Sequence, residues 1–383
     1  MKKLAIIGAS HFQNPLILKA QERGIETHVF AWAAGDVGEK TADFFYPISI
    51  TEKDAILQKC QEIEIDGIAS IGSDLANITV AYVANAMGLV SNSVECVQKS
   101  TDKHLMRNAF AANGDPSPKS YLITSDNSFD FTQFDYPAIV KPVDRSGSRG
   151  ISKVYEAGEV EDAIDLARKE GFSKNVLIEQ FVDGREFSVE YLSWQGRHHF
   201  LALTEKFTTG APHFIERGHL EPARVTLEEQ QEVCVIVEHA LNSLGVEFGA
   251  SHAEVKIEPN GEIYIIEIGS RMGGDCIGSD LVYLSTGFDY VSAVIDVALG
   301  VKPQLNISES NKCAAIRFIF SEADRQALEL LKENHSEWLS YVSPIDEDFH
   351  PITDSSSRYG YFIFSASSLR EIEPYLPKEG DFG

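Results

Sequence analysis

The sequence lacks the patterns of a disulfide framework, a zinc site or a membrane protein. Its cysteines are odd in number, form no CxxC pair and lie at positions 60, 96, 234, 276 and 313, which favours a reducing compartment. No apolar stretch approaches eighteen residues, and the one at the N-terminus ends at Gly8, too early for a signal peptide. We therefore expect a cytoplasmic protein without a membrane segment.

Positive charge is also scarce. The 383 residues include 33 Lys and Arg against 58 Asp and Glu, a formal net charge of −25. Such a chain repels nucleic acid and anionic membranes, so we expect neither as a partner. A polyanionic ligand would need local cations or a metal ion. The length indicates at least two packed units, and 43% hydrophobic residues can fill a sizeable core.

The N-terminal part is of α/β type but lacks a dinucleotide fingerprint. Apolar runs at 4–8, 27–31 and 66–72 alternate with helical stretches, which predicts a small parallel sheet over residues 1–95. The loop after the first run, Gly8-Ala9-Ser10-His11-Phe12-Gln13, has neither the second nor the third glycine of G-x-G-x-x-G. The sequence thus disfavours a nicotinamide-binding domain.

The pattern changes near residue 102. Alternating segments with Asn-Gly and Asp-Gly turns predict antiparallel strands, interrupted by helices near 102–112, 227–244 and 289–299. The last eighty residues mix predicted strands and helices. No G-x-S-x-G nucleophile elbow occurs in the chain.

A first group of candidate residues lies in the segment 136–156. On a strand, Lys141 shares a face with Ile139 and Val143, and a lysine there is costly unless it meets an anion. The following Ser146-Gly147-Ser148-Arg149-Gly150 loop is able to bring backbone N–H groups against a polyphosphate. The alternative is a mobile hairpin tip with an exposed lysine.

A second group lies in the segment 174–192. Glu179 follows an apolar run, and Glu186 follows an Asp-Gly turn. Free backbone groups between them could read an adenine edge, while Glu186 could accept hydrogen bonds from ribose hydroxyls. The alternative is an ordinary hairpin with solvated glutamates.

A third group lies in the segment 249–275. Asn260-Gly261 is a strong signal for a two-residue type I′ turn, which fixes a register in which Glu254 faces Glu267. Two facing carboxylates are destabilising unless a divalent cation binds them, and oxygen ligands suit Mg²⁺. Arg271 could then lie beside a phosphate or a developing oxyanion. The alternative is a slipped register with solvated glutamates.

Taken in order, the three segments resemble the ATP-grasp superfamily, which includes D-alanine–D-alanine ligase, L-amino-acid ligases, biotin carboxylase and the carbamoyl-phosphate synthetase large chain. The resemblance implies an α/β and α+β multidomain protein. A small parallel pre-ATP-grasp domain (1–95) would precede the two lobes of the grasp. These would be a small lobe with the glycine-rich loop (96–175) and a large lobe with the metal site (176–300). A C-terminal α+β extension (301–383) would pack on the large lobe.

The resemblance assigns roles residue by residue. It implies ATP and Mg²⁺, with Mn²⁺ as an alternative ion, and Glu254 and Glu267 as the metal ligands. Arg271 would contact the transferred phosphate. The nucleotide-binding residues would be the phosphate-contacting Lys103 and Lys141, the loop residues Ser146, Gly147, Ser148 and Gly150, the adenine-binding Glu179 with the Phe181 and Val182 backbone, and the ribose-binding Glu186. One departure is Gly269, where many members have an Asn, which puts a second Mg²⁺ site in doubt.

Such an enzyme would phosphorylate a small-molecule carboxylate with ATP and join it to an amine, with amino acids among the expected substrates. Two alternatives stay open: a biotin- or purine-type carboxylase that forms carboxyphosphate, and an ATP-binding sensor without turnover. The resemblance also leaves room for a homodimer.

Candidate residues for binding the substrates lie in the polar segment 205–225, beside Glu254 and at the ends of predicted N-terminal strands. His219 is a candidate for binding the substrate carboxylate or for handling a proton, with a surface histidine as the alternative. His252 shares a predicted strand face with Glu254, so we expect it near the cleft or in a structural hydrogen bond. Ser10 and Asp74 end predicted N-terminal strands, where open sheets bind ligands, and are candidate substrate contacts.

Overall fold

A computed structural model of the chain describes residues 1–127, 129–212, 214–306, 312–348 and 350–378. These residues contain three sheets, one parallel and two antiparallel. The parallel sheet comes first in the chain, as the apolar runs predicted. The fold class expected from the sequence is therefore confirmed.

The N-terminal sheet has the order β3-β2-β1-β4. Its strands are β1 (Lys3–Ile7), β2 (Glu26–Phe30), β3 (Phe44–Tyr46) and β4 (Gly67–Ala69). The helices of this part are α1 (Asn14–Glu22), α2 (Val37–Thr41), α3 (Lys53–Ile63), α4 (Asp74–Met87), α5 (Val94–Lys99) and α6 (Lys103–Asn113). The side chain of Asp102 accepts hydrogen bonds from the backbone N–H groups of His104 and Leu105 and so begins α6. This cap places Lys103 at the first position of the helix.

The next unit is a four-stranded sheet with the order β5-β8-β6-β7. Its elements are β5 (Ser120–Ile123), β6 (Ala138–Pro142), β7 (Ser152–Val154), α7 (Val160–Glu170) and β8 (Val176–Gln180). One face of this sheet, which includes Val140 and Ile178, packs against α7 and forms a core. Because side chains alternate along a strand, Ile139 and Lys141 point away from that core, as predicted.

The largest sheet has eight strands in the order β13-β12-β9-β10-β11-β14-β16-β15. Its strands are β9 (Arg185–Trp194), β10 (Arg197–Thr208), β11 (Glu216–Glu221), β12 (Phe248–Ile257), β13 (Ile263–Gly269), β14 (Cys313–Phe318), β15 (Leu339–Val342) and β16 (Tyr361–Ala366). The accompanying helices are α8 (Leu227–Leu244), α9 (Val282–Thr286), α10 (Tyr290–Ala298), α11 (Glu322–His335) and α12 (Leu369–Ile372). Strands from the segment after residue 300 thus continue the sheet that β9–β13 begin. The boundaries proposed for the four domains stay a prediction.

Strict alternation gives this sheet one apolar and one polar face. Along β9, Phe187 and Val189 join the core beneath α8, and along β12 Ala253 and Val255 do the same. The residues between them are polar, and they are the glutamates, lysines and histidine from which the site described below is built. The polar face is thus a direct consequence of the two-residue period of the strands.

The β12–β13 hairpin differs from the predicted turn. Glu258 and Glu262 close a three-residue loop, in which the Gly261 N–H donates to the Glu258 carbonyl and Gly261 alone has a positive φ, of 91°. A type I′ turn needs positive φ at both central residues, so the predicted two-residue turn is wrong. The register near the turn is accordingly one residue away from the expected one.

A β-bulge restores the predicted pairing farther along the hairpin. Val255 faces Ile265, but Glu254 faces Glu267, so Ile266 is the additional residue on β13. Ile265 and Ile268 both lie in the core, which strict alternation would not allow. The bulge therefore turns Glu267 to the polar face opposite Glu254, and the predicted Glu254–Glu267 pair is confirmed.

Every helix within the described ranges is too short or too polar to cross a bilayer.

A buried carboxyl group lies at the end of β11. Glu221 is 1% exposed, and its partners are hydroxyl groups, those of Thr204 and Ser285. Burial raises the pKa of Glu221 to about 7, although both hydroxyls favour the ionised form.

This pKa makes stability fall as the pH rises. The unfolded chain loses the Glu221 proton near pH 4.5, whereas the folded chain keeps it to about pH 7, so the folded state binds more protons in that window. The native chain should therefore lose about 3 kcal/mol of unfolding free energy relative to a Glu221→Gln variant as the pH rises from 5 to 8. Urea unfolding at four pH values measures the difference. A Glu333→Gln variant, on the exposed side of α11, should show none, and a pH-independent difference for Glu221→Gln would contradict the assignment.

Candidate functional site

Two clefts meet on the polar face of the large sheet. The larger has a volume of about 340 Å³ and extends from the carboxylates of Glu254 and Glu267 to Arg271 and His219. The smaller, about 120 Å³, lies between the two antiparallel sheets and is lined by Lys141 and Phe181 among others. The residues that line both clefts are Lys103, Ser148, Ile151, Lys206, Glu216, Glu254 and Glu267. The facing glutamates are therefore at the junction of the clefts.

Each glutamate of the facing pair has its own lysine. The Nζ of Lys103 lies 2.9 Å from Glu267 Oε1, and the Nζ of Lys206 lies 3.0 Å from Glu254 Oε1. Both lysines are buried. Burial disfavours the charged form of Lys103, but Glu267, together with Asp74 and Glu254, outweighs burial and raises the pKa of the lysine. Neutralisation by the two lysines allows the carboxylates to face each other.

Lys206 is the centre of an acidic group. Besides Glu254, its Nζ lies 2.9 Å from Glu186 Oε1 and 3.8 Å from Glu216 Oε1. Burial opposes its charge, but the three carboxylates hold the pKa of Lys206 well above its usual value. Lys206 was missed in the sequence analysis. The sequence feature that could have identified it is alternation along β10: Lys206 lies two residues after Thr204 and so shares its face, opposite the apolar Leu203.

The smaller cleft contains the second predicted lysine. The Nζ of Lys141 is 2.6 Å from Glu179 Oε2, and the guanidinium Nε of Arg107 is 2.9 Å from the other carboxylate oxygen. Burial lowers the pKa of Lys141, while the two cations outweigh burial and lower the pKa of Glu179. Lys141 thus meets an anion, as its buried position required, but that anion is Glu179. A contact of Glu179 with adenine stays a prediction, since its carboxylate already has two cationic partners.

The remaining residues predicted for nucleotide binding lie around the same cleft. Glu186, Phe181 and Val182 line it. Two lysines approach the ring of Phe181, with Lys153 Nζ 3.5 Å and Lys256 Nζ 5.4 Å from its centroid. Burial alone would raise the pKa of Glu186, but Lys206 and Lys256 hold it low. The carboxylate therefore stays charged and able to accept hydrogen bonds.

The predicted glycine-rich loop joins β6 to β7 and borders both clefts. Ser146, Gly147 and Ser148 line the larger one, whereas Gly150 packs against α7 near Glu170. The hydroxyl of Ser148 donates to the Phe214 carbonyl at 3.1 Å, which joins the loop to the opposite wall. Its role in covering a triphosphate stays a prediction.

Arg271 lies in the larger cleft and is fixed by Asp74. Its Nε and Nη2 donate to the two carboxylate oxygens at 2.7 and 3.0 Å. Asp74 begins α4, directly after the N-terminal sheet, so it reaches the cleft but serves there to orient Arg271. A side-chain carbon at Gly269 would lie 3.0 Å from Asp74 Oδ1 and 3.2 Å from Arg271 Nε. The ion pair fills the space that an Asn at position 269 would need.

His252 is held by a carboxylate that the sequence analysis missed. Its Nδ1 is hydrogen-bonded to Glu190, which is fully buried and also accepts the Gly273 N–H at 3.1 Å. Burial disfavours the charged imidazole, but Glu190 outweighs it and raises the pKa of His252 to about 9. The Nε2 lies 3.5 Å from Glu254 Oε1, so the histidine assists Lys206 in neutralising Glu254. His252 is thus at the cleft and in a structural hydrogen bond at once.

His219 lies deeper in the larger cleft and is 1% exposed. Neither ring nitrogen makes a hydrogen bond within the described residues, and Nε2 lies 3.5 Å from Asp275 Oδ2. The alternative of a surface histidine is therefore wrong. Ser10, by contrast, donates to Gln13 Oε1 at 2.6 Å and does not line the cleft. The Phe12 and Gly72 of the neighbouring loops do.

The residues suit a nucleotide and one divalent cation. No cluster of three or more His, Cys, Asp or Glu that could enclose a metal is found in the described ranges. Two facing carboxylates at the mouth of a lysine-lined cleft instead fit Mg²⁺, which takes one or two carboxylates and completes its shell with phosphate oxygens and water.

Comparisons with known proteins agree with this geometry. Residues 134–279 match the family model described as the ATP-grasp domain. The alanine–anticapsin ligase of Bacillus subtilis (strain 168) is 24% identical over 274 residues, which cover 62% of this chain and 58% of the ligase. The carbamoyl phosphate synthase large chain of Thermoanaerobacter sp. (strain X514) is 23% identical over 279 residues, 70% of this chain and 24% of that protein. This chain thus spans less than two thirds of the length of these curated relatives.

The crystal structure of an L-amino acid ligase from Bacillus licheniformis has the same fold. It superposes with a TM-score of 0.83 at 25% sequence identity and covers 98% of this chain and 96% of that one. The resemblance predicted from the motifs is therefore confirmed. Residues 134–279 are similar to the ATP-grasp domain, and the chain as a whole shares the fold of that L-amino acid ligase.

Proposed function

We propose that the protein is an ATP- and Mg²⁺-dependent ligase that activates a carboxylate as an acyl phosphate and joins it to an amine, with amino acids as substrates. The observation that carries the proposal is the junction of two clefts at the Glu254–Glu267 pair. A nucleotide in the smaller cleft would direct its phosphates to this junction. The larger cleft would present the carboxylate from the other side.

The chain's own cations would position the triphosphate. Lys103 and Lys206 are buried at the junction, and Lys141 lies in the smaller cleft. In a chain of net charge −25 they supply the local positive charge that a polyanion needs. The glycine-rich loop would close over the phosphates with its backbone N–H groups.

Glu254 and Glu267 would hold Mg²⁺, or Mn²⁺ in its place. When bound, such an ion would neutralise part of the negative charge of the phosphates. The two lysines that now neutralise the carboxylates would then be free to contact phosphate.

The reaction would proceed in two steps. A carboxylate oxygen attacks the γ-phosphorus, the bond to the bridging oxygen breaks, and ADP leaves. The amine nitrogen then attacks the acyl carbon, phosphate departs, and the nitrogen loses a proton. Arg271 would stabilise the charge on the transferred phosphate and the tetrahedral oxyanion, because Asp74 holds its guanidinium rigidly in the cleft. His219, whose ring nitrogens make no hydrogen bond within the described ranges, would receive the proton or bind a substrate carboxylate.

The proposal is tested by ATP- and Mg²⁺-dependent phosphate release against a panel of amino acids, dipeptides, other carboxylates and bicarbonate, with mass spectrometry of the products. We expect release only with a carboxylate and an amine together, and a product lighter by one water than their sum. Release with bicarbonate alone would replace the proposal by a carboxylase. ATP binding without release in any mixture would indicate a sensor. Glu267→Gln should lower turnover by roughly 100-fold or more, and unchanged turnover would refute the metal assignment.

Arg271→Lys separates stabilisation of the transition state from binding. Lysine keeps the charge but cannot make the two-pronged contact with Asp74, so we expect kcat to fall by about 100- to 1,000-fold with little change in the KM for ATP. Steady-state kinetics measures both constants. Arg23→Lys, on a surface ion pair between α1 and α10, is the matched control. A change confined to KM would contradict the role given to Arg271.

Lys206→Met tests whether a metal ion and this lysine share the same carboxylates. Removing the lysine charge leaves Glu186, Glu216 and Glu254 without their shared cationic partner, so the free energy of unfolding should fall by about 3 kcal/mol. Mg²⁺ should then raise the unfolding temperature of the variant more than that of the native chain, because the ion replaces the lost charge. Lys59→Met, in an exposed pair with Glu62, should respond to Mg²⁺ as the native chain does. An equal Mg²⁺ response in all three proteins would refute the shared site.

A further inference from the structure

We propose that Arg358, from the segment after residue 300, binds the free carboxylate of an amino acid that enters the larger cleft as the amine substrate. Asp275 would act as the positioning residue for this arginine. The inference rests on the proposed ligase function and adds to it the chemical class of the amine and the residue that selects it.

Arg358 is held rigidly. Its Nη1 and Nη2 donate to the two oxygens of Asp275 at 2.9 and 2.7 Å, and Nη1 also donates to the Glu216 carbonyl at 3.2 Å. The guanidinium carbon lies 3.5 Å from the ring centroid of Phe318, on β14. The side chain is 6% exposed. A guanidinium fixed by a bidentate carboxylate and an aromatic face is preorganised, so little entropy is lost when it binds a ligand.

One edge of this guanidinium is left for a ligand. Within the described residues, no hydrogen bond from Arg358 Nε is found, although the residue lines the larger cleft together with His219, Arg271 and Gly274. The other cleft arginines have different surroundings. Arg271 is bound by Asp74, Arg145 stacks on Phe172 at 4.5 Å, and Arg149 faces Asp354 at 3.7 Å.

The backbone at Asp275 indicates that its position is imposed. Asp275 and Cys276 have φ values of 49° and 61°, so two successive residues other than glycine adopt the left-handed region. Such conformations are unfavourable and persist where the surrounding structure requires them, often at binding sites. Here the strained pair directs the Asp275 carboxylate to both Arg358 and His219. Burial opposes ionisation of Asp275, but Arg358 and His219 outweigh it and lower its pKa, so the arginine keeps its charged partner.

The neighbourhood of Arg358 favours a zwitterion over a phosphate. Burial opposes the charge of Arg358, but the Asp275 carboxylate bound to it and the nearby Glu216 carboxylate raise its pKa, and Ser355 donates to Glu216 Oε2 at 2.8 Å. A dianionic phosphate would be repelled by two carboxylates around one arginine. The carboxylate of an amino acid carries a single charge, suits the planar fork of an arginine, and is accompanied by an amino group that acidic side chains attract.

The contact would also leave His219 for the proton. His219 Nε2 lies 3.5 Å from Asp275 Oδ2 and therefore close to the arginine that would hold the carboxylate. An α-amino acid places its nitrogen one carbon away from that carboxylate. The amine would thus be presented near His219 and on the side of the cleft that leads to Arg271.

The test compares an amino acid with its carboxamide. For Arg358→Lys and the native chain, KM is measured for L-alanine and L-alaninamide, and then for larger pairs, with one carboxylate substrate and ATP. Lysine preserves the ion pair with Asp275 but removes the fork, so we expect the KM of the amino acid to rise about 10- to 100-fold. The KM values of the carboxamide and of ATP should stay within about twofold. The double variant Asp275→Asn/Arg358→Gln, which leaves no unpaired charge, should show the same discrimination.

Arg325→Lys, in an exposed ion pair with Glu347 of the same segment, should behave as the native chain. An equal rise in KM for the amino acid and the carboxamide would indicate a structural role for Arg358 and overturn the inference. Unchanged KM values for both in the Arg358→Lys variant would overturn it as well. Calorimetric binding of L-alanine and L-alaninamide, in the presence of Mg²⁺ and a non-hydrolysable ATP analogue, separates the two proposals. Selective loss of amino-acid binding in Arg358→Lys would support the site even if the native chain formed no product, whereas a ligase without that loss would refute the site alone.

Discussion

Two partly buried carboxylates that face each other across the hairpin are the constraint on which the rest of the site depends. Glu254 and Glu267 would repel each other strongly, and each is compensated by a lysine from a different part of the chain. Lys206 comes from β10 of the same sheet, with β9 between it and β12, whereas Lys103 comes from the first turn of α6. The polar junction thereby ties α6 to the large sheet. It does so with interactions that a metal ion and a triphosphate could take over.

Helix α6 makes a second contribution one turn later. Arg107 donates through Nη2 to the carbonyl of Ile266, the extra residue of the bulge, at 2.7 Å, and its Nε lies 2.9 Å from Glu179. The same side chain therefore stabilises the bulge that turns Glu267 into the site and fixes the carboxylate that holds Lys141. Lys103 and Arg107 are four residues apart, so they share one face of the helix. One face of α6 thus contacts Glu267 at the junction of the clefts and Glu179 in the smaller cleft.

The sequence contained most of the fold and about half of the site. Periodicity predicted the parallel sheet and the antiparallel strands, because these depend on local alternation, whereas the Glu254–Glu267 pair was predicted from the Asn260-Gly261 turn signal. The pair was correct although the turn was not, since a three-residue loop and a bulge shift the register in opposite directions. Lys206 and Glu190 also lie at alternating polar positions of strands, but neither belongs to a recognisable motif. Arg358 could not be found from spacing, because only the pairing of β14 with β11 brings the last part of the chain beside the cleft.

That pairing also changes how the C-terminal segment should be understood. β14, β16 and β15 continue the large sheet, so the segment is part of the same hydrogen-bonded layer that carries the glutamates. Its turn at Ser355–Ser357 lies between two parts of the site, because Arg149 of the glycine-rich loop donates to Ser356 at 3.4 Å and Arg358, which directly follows the turn, binds Asp275. A closing movement of the loop over a nucleotide would therefore act on the turn that precedes Arg358. On the proposed function, nucleotide binding in one cleft and recognition of the amine in the other would share this short segment as their physical connection.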